Sequence, residues 1–378
     1  MTLLQPRIDL VGAIRRSPFG RVQARLAAHQ QRLARPPAYI VVCATVAVLN
    51  IVGLMMILSA SSVKALSAYG SSWYFFDRQF VWALVGAGVF VVASRVDYRR
   101  WQRLAPMLLV ATAVSLVLVL VPSIGRYVDG SRRWMGAGPF VMQPSELAKL
   151  ALVLCGAATL ARTGIDLDDT RAWRPVLVIT AVFGALIMKE PDLDSTIVVA
   201  LIAFALLVVA GVRAKDLARL AGFGALAATV LAFGAGYRRA RMFAFLHPGR
   251  DLGNTGYQLR QSLIALGSGG LNGVGLGAGR AKWLFLPNAH TDFIFAIVGE
   301  ELGFVGCLLV LGLFAGFGLV GMQVARRAPD RFGRLVAAGV TAWIVGQAAI
   351  NLGAVVGVLP VAGIPLPFLS AGGSSLVI

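Results

Sequence analysis

The sequence predicts an all-α polytopic membrane protein of about ten transmembrane helices, the tenth truncated, with one large loop between the seventh and eighth. Three observations carry that prediction. Hydrophobic residues make up 58% of the 378 and charged residues only 14%, a balance outside the soluble range. Apolar runs long enough to cross about 30 Å of hydrocarbon, roughly 20 residues each, recur along the chain. The basic residues that give a net charge of +18 sit in short clusters between those runs, as membrane orientation requires and as a nucleic-acid-binding face would not.

In chain order, residues 1–36 carry seven arginines and no short apolar core followed by a small-residue cleavage site. They read as a basic cytoplasmic tail ahead of a retained helix. Apolar runs follow at 38–59, 80–94, 104–121, 147–160, 175–188, 195–212, 220–236, 293–323 and 335–359, and a tenth begins at 368 and stops at 378 after half a crossing. With the tail inside, 21 of the 35 cations fall on the cytoplasmic side, so the N-terminus is predicted inside and 237–291 becomes an extracytoplasmic loop within the 37–378 transmembrane domain. Long loops escape the charge rule, so the seven cations of 237–291 need another reason to be there. Cys43, Cys155 and Cys307 each lie inside an apolar run without a CxxC pair and read as small buried hydrophobes.

Four polar clusters interrupt this pattern. Between the third and fourth spans lie Arg132-Arg133-Trp134 and Gln143-Pro144-Ser145-Glu146-Leu147-Ala148-Lys149. Pro144 suits a helix start, and Glu146 and Lys149 share a helix face, either as an internal ion pair or as a polar cavity wall. Between the fifth and sixth spans, Glu190-Pro191-Asp192-Leu193-Asp194-Ser195 is either a solvated turn whose Asp194 or Ser195 caps the next helix, or part of an outward-facing site. After the ninth span, Pro360, Pro365 and Pro367 rule out a regular helix, and such backbone at membrane depth must be buried in protein or line water. The fourth and richest cluster runs from Gly256-Tyr257-Gln258 through a glycine-dense stretch to Leu286-Pro287-Asn288-Ala289-His290-Thr291-Asp292-Phe293-Ile294-Phe295 and Glu300-Glu301. Charges at a membrane boundary are costly enough to mark a site. The glycine run lacks Gly-Lys-Ser/Thr and a strand-to-helix setting, so no nucleotide cofactor is predicted. Glu300 and Glu301 lie about two turns inside a span and must include an inward-facing carboxylate, paired with Lys149 or an arginine or used in binding.

Together these stretches resemble the SEDS family (shape, elongation, division and sporulation) of bacterial cell-wall polymerases, and the division branch more than the elongation branch through Gly256-Tyr257-Gln258 and Arg280-Ala281-Lys282-Trp283. The resemblance implies a ten-helix fold with a large extracytoplasmic loop. It implies a peptidoglycan glycosyltransferase in the bacterial inner membrane, placed at the division septum, that polymerises lipid II with inversion at the donor sugar. It also implies a class B penicillin-binding protein and other division proteins as partners.

That chemistry needs a base, cations for a diphosphate, an outward cavity for sugars and an apolar groove for polyprenyl tails. Asp292 matches the family's essential aspartate and is the predicted base, its pKa raised toward neutrality by partial desolvation; the competing reading is a helix N-cap. Arg133, Lys149, Arg239, Arg241, Arg260 and Lys282 are the candidates for the diphosphate, with a divalent cation, Mg2+ or Mn2+, as a further neutralising group. Glu146, Gln258, Gln261, Ser262, His290, Glu300 and Ser370 complete the expected substrate-binding set. The chain departs from the family pattern at Asp194, usually Gly, Asn288, usually Glu, Ala362, usually Thr, and Ala371, usually Tyr, and it has His247 where the division branch often has Asp. No carboxylate role can be assigned at Asn288. A lipid flippase or transporter would use a similar cavity and broken backbone, but the chain shows no internal repeat, and a scaffold would leave the Asp292 motif unexplained.

Overall fold

The computed structural model describes residues 37–128, 131–137, 140–162, 166–247, 255–283 and 285–378; the basic tail 1–36 lies outside them. The helices are α1 (Pro37–Tyr69), α2 (Tyr74–Arg95), α3 (Tyr98–Leu118), α4 (Pro144–Leu160), α5 (Thr170–Lys189), α6 (Leu193–Ala210), α7 (Ala214–Phe233), α8 (Gly236–Leu246), α9 (Thr255–Ser268), α10 (Ile294–Arg327), α11 (Arg331–Val355) and α12 (Gly373–Val377). All nine complete apolar runs are helices. Eight are long and apolar enough to cross a membrane, and α4, at 17 residues, is nearly wholly buried among the others.

Local chemistry sets the helix ends. Asp97, Asp169, Asp192 and Asp330 each accept a backbone N–H in the first turn of α3, α5, α6 and α11, satisfying donors that a helix start leaves unpaired. Pro144 opens α4, where its missing N–H costs nothing. Asp192, and not Asp194 or Ser195, caps α6, because its Oδ1 lies 3.1 Å from the Ser195 amide.

The sequence did not foreshadow a three-stranded antiparallel sheet between α3 and α4. Its strands are β1 (Gly125–Val128), β2 (Ser131–Ala137) and β3 (Phe140–Met142), in the order β1-β2-β3. The 237–291 region is likewise partly helical, through α8 and α9. Residues 356–372 are irregular, as their prolines require, and the expected tenth run contains only the five-residue α12.

Two buried clusters form the interior. One joins α3, α4, α5, α6 and α11; the other joins α1, α9, α10, α11 and the 361–369 segment. The inter-helix connections fall into two sets at opposite ends, as alternating crossings demand. At one end Tyr98 Oη donates to Asp330 Oδ2 at 2.5 Å and Arg213 Nε meets Asp168 Oδ1 at 2.6 Å. At the other, Arg133 Nε donates to the Glu190 carbonyl at 3.0 Å and Ser370 Oγ to the Thr291 carbonyl at 2.6 Å. The second end carries Asp292.

Helix α10 is broken. Gly303 has φ 68° and ψ −165°, and the glycine-rich segment fills the break: the amides of Val274 and Gly275 donate to the Glu300 and Glu301 carbonyls, while the Phe304 and Val305 amides donate to Gly270 and Leu271. Backbone groups freed by the break are thus paired again, which hydrocarbon surroundings require. Gly273 (φ +80°) lies against the Glu301 backbone, where a Cβ would collide with the carbonyl.

Candidate functional site

Asp292 closes a tight turn just before α10. Asn288 starts that turn with φ 56°, a conformation asparagine tolerates better than most residues, and its carbonyl accepts the amides of Thr291 and Phe293. Asn351 of α11 holds the turn by donating to the Asp292 carbonyl at 2.8 Å and the Ile364 carbonyl at 2.8 Å. Ser370 binds the neighbouring Thr291 carbonyl and accepts the Leu366 amide, and the Ala371 amide donates to the His290 carbonyl. The α10 cap position is Phe293, with no side-chain cap bond. The capping alternative for Asp292 is therefore not what the fold uses.

The charges around Asp292 come from three other elements. Burial and the carboxylate of Asp194 push its pKa up to about 7, with Asp192 adding to the rise and Arg241 and Arg133 opposing it. Arg241 Nη1 stands 3.5 Å from Asp194 Oδ2. Arg133 reaches from β2 to the Glu190 and Pro191 carbonyls, at 3.0 and 2.6 Å, with its Nη1 4.0 Å from Asp192 Oδ1. Gln143 donates to Asp192 Oδ2 at 3.2 Å and Ser195 Oγ donates to the same oxygen at 2.7 Å.

The 190–194 turn is therefore packed, not solvated: Glu190 and Asp192 are 0% and 2% exposed. Neither carboxylate oxygen of Glu190 has a hydrogen-bond partner among the described residues. Burial, reinforced by Asp192, pushes its pKa up to about 9 against the pull of Arg133, so it is neutral at pH 7.

Beside this cluster lies a cavity of about 400 Å3 between α6, α7, α8, α11 and the 359–362 segment. Asp194, Arg238 and Arg241 line its polar end, and Ile197, Ala228, Ala232, Phe233, Ile350 and Leu359 its apolar length. Among the described residues helix α7 packs mainly on α6 and α8, and it exposes Phe223, Leu226 and Val230.

Of the expected site residues, the fold gathers Asp292, Arg133 and Arg241, and adds Asp192, Asp194 and Glu190. Others are engaged elsewhere. Lys149 is fully buried, its Nζ 2.7 Å from Glu146 Oε1 and 2.8 Å from Gln347 Oε1 and over the Trp343 ring. That is the internal ion pair, with no cavity face. Lys282 is buried against the Gly277 carbonyl, Ser59 and Glu301. Glu300 Oε1 accepts the Arg280 amide at 2.7 Å, and Glu301 accepts Ser59 Oγ at 2.6 Å and the Gly277 amide at 3.0 Å.

These two glutamates thus pin the glycine-rich segment; among the described residues the cationic partner of Glu301 is Lys282, at 3.3 Å, while Glu300 is held by the backbone amides of Arg280 and Ala281 and pairs with neither Lys149 nor an arginine side chain. Ser262 Oγ is bound to the Val355 carbonyl, joining α9 to α11. Gln258 and Gln261 are half-buried on α9, and Arg239 and Arg260 are exposed. His290 is buried against Phe75, ring centroids 4.7 Å apart; burial and nearby Lys64 push its pKa down to about 4, so its ring is neutral.

The family model describing cell cycle proteins of the FtsW, RodA and SpoVE type matches residues 39–378. The chain belongs to the FtsW/RodA/SpoVE family. Within that family it is 45% identical over 345 residues to the probable peptidoglycan glycosyltransferase FtsW of Mycobacterium tuberculosis, covering 91% of this chain and 66% of that one. The chain thus spans slightly under two thirds of its mycobacterial relative. It is 39% identical over 327 residues to the probable peptidoglycan glycosyltransferase FtsW of Geobacter metallireducens, covering 86% and 87% of the two. Among solved structures it is similar to a chain of a peptidoglycan synthase complex described as coordinating polymerization and crosslinking, with TM-score 0.72, 30% identity and coverage of 90% and 92%. The FtsW/RodA/SpoVE membership and the spans together make this an integral, multi-pass membrane protein.

Proposed function

We propose that this chain is a peptidoglycan glycosyltransferase of the division type, joining lipid II molecules into glycan strands on the outer face of the inner membrane, with its N-terminus cytoplasmic and its place of action the septum. The observation that supports this most is Asp292 itself. It is a carboxylate that caps no helix, with a pKa near 7 and within the electrostatic influence of Arg241, Arg133 and Asp194, and Asp194 in turn lines an apolar cavity. A base poised near the working pH is the most effective kind.

In this reading the Asp292 carboxylate takes the proton of the acceptor sugar hydroxyl. The hydroxyl oxygen bonds to the donor's anomeric carbon from the face opposite the leaving group, which inverts the centre. The bond from that carbon to the diphosphate oxygen breaks, and its electron pair leaves on the polyprenyl diphosphate. Arg241, with Arg133 behind it, stabilises the charge that develops there. The apolar length of the cavity takes the first part of a polyprenyl tail.

The sequence allowed for Mg2+ or Mn2+ at the diphosphate. Among the described residues no three His, Cys, Asp or Glu side chains converge on one metal position. The residues present do not form a ready-made cage, and no step here passes through a metal. A class B penicillin-binding protein is the proposed partner; the likeness to a peptidoglycan synthase complex supports it.

Reconstitution tests the proposal. The purified full chain is placed in liposomes with lipid II, with and without the cognate transpeptidase. Polymer strands are expected. Lipid II crossing the bilayer without polymer would mark a transporter, and neither outcome with either preparation would leave a scaffold.

A further inference from the structure

The polar end of the cavity contains an acid where an anion is to be bound. Asp194 projects from the first turn of α6, and its Oδ2 accepts the Gly363 amide at 2.7 Å while standing 3.5 Å from Arg241 Nη1 on α8. Three separate elements therefore meet on one carboxylate oxygen. Its side chain is 18% exposed and that of Arg241 36%, so both face the cavity.

A pair of arginines at the outer end of an apolar groove in a bilayer attracts any lipid phosphate, including abundant phospholipid headgroups. A carboxylate fixed beside one of those arginines changes that selectivity. It cancels about one unit of positive charge at close range, and it repels every incoming anion. A phosphodiester carries one negative charge and would gain little by displacing Asp194 from Arg241. A diphosphate carries two or more and retains a net attraction after the exchange. Building a repulsion against the wrong ligand is a general route to specificity.

We infer that Asp194 is a specificity-determining residue, a charge filter that excludes monophosphate lipids from the Arg241 end of the cavity and admits polyprenyl diphosphates. This rests on reading the cavity as the polyprenyl diphosphate groove. It goes beyond that reading by assigning a role to a carboxylate that the chemistry of bond formation does not use.

The test is a binding measurement independent of turnover. The affinity of the full chain for undecaprenyl diphosphate is measured in nanodiscs of phosphatidylcholine alone and of phosphatidylcholine mixed equally with phosphatidylglycerol. The wild-type Kd should change less than about twofold between them, and that of Asp194→Asn should weaken about tenfold in the anionic discs. Asn keeps an oxygen for the Gly363 amide; Asp194→Gly, read alongside thermal unfolding, separates loss of charge from loss of fold. A wild-type protein already strongly inhibited by phosphatidylglycerol, or folded variants as indifferent to it as wild type, overturns the filter. If wild-type protein makes no polymer yet shows the predicted selectivity, the glycosyltransferase reading fails and the filter stands.

Discussion

Asn351 and Asp292 are joined through the backbone: the Asn351 side-chain amide, 1% exposed on α11, donates to the carbonyl oxygen of Asp292 at 2.8 Å. The same nitrogen holds the Ile364 carbonyl, so one side chain ties α11, the 288–292 turn and the proline-rich segment together. Among the described residues no hydrogen bond or ion pair engages the Asp292 carboxylate, the arrangement a base needs.

Replacing Asn351 by Leu should therefore damage activity more than stability. Two buried carbonyls lose their donor, at about 1–3 kcal/mol, while a small displacement of the base costs about 10²-fold in rate. Polymerisation rate and thermal unfolding measured on one preparation check this; an active variant would show that the turn is held by other contacts.

The pH dependence follows from Asp292. Its carboxyl is raised to about 7 chiefly by burial and then by Asp194. A base works deprotonated, so kcat/KM should climb as pH rises through about 7 and then level. Asp194→Asn removes a like charge, lowers the pKa of Asp292 and moves that limb to lower pH. A limb at the ordinary aspartate value of about 4 would contradict the assignment. The Glu190 carboxyl, raised to about 9, is neutral at these pH values, so Glu190→Gln should leave the limb in place.

Lys149→Met should destabilise the fold by about 3–5 kcal/mol, because it strands Glu146 as a buried, uncompensated charge. Lys215 is exposed, and Lys215→Met should stay within about 0.5 kcal/mol. Adding Glu146→Gln to Lys149→Met should recover most of the loss. Thermal unfolding of the four proteins in detergent decides it, and equal stability of the two single variants would make Lys149 a mere anchor.

Gly273→Ala and Gly303→Ala should both unseat the glycine-rich segment from the break in α10. Each has positive φ, and a Cβ on either meets backbone of the other strand of the interlock. Gly267→Ala is the control, since a Cβ there meets nothing within 4 Å and alanine favours its helix. Protease sensitivity of the 269–283 segment should rise in the first two and not in the third.

The nine spans were legible because each needs only a local apolar pattern. Asp292 was legible through its motif and its place at a span boundary. What the sequence hid is non-local. The 190–194 turn reads as solvated because its three carboxylates give no sign that β2 and Gln143 will cover them; the sheet itself consists of strands too short to show alternation.

Glu301 needed a cation and Glu300 needed donors, and both came from the glycine-rich run, as Lys282 and as the Arg280 and Ala281 amides; the fold of that run into α10 depends on the break at Gly303. That break looks like any glycine in an apolar helix. Lys149 was read with its true partner because an i, i+3 pair is local, but only the packed helices show that it faces Gln347 and Trp343, not a cavity.

The most direct test is Asp292→Asn in the purified full chain, assayed for strand formation from lipid II with its transpeptidase present. Asparagine keeps the size of the side chain and, because the turn is held through the backbone carbonyl, should keep the fold and the melting temperature. It cannot take the hydroxyl proton, so polymerisation should fall by about 10²–10⁴-fold. Near wild-type strand synthesis by the Asn variant would contradict the account, and the base would then have to be sought at Asp192 or Asp194.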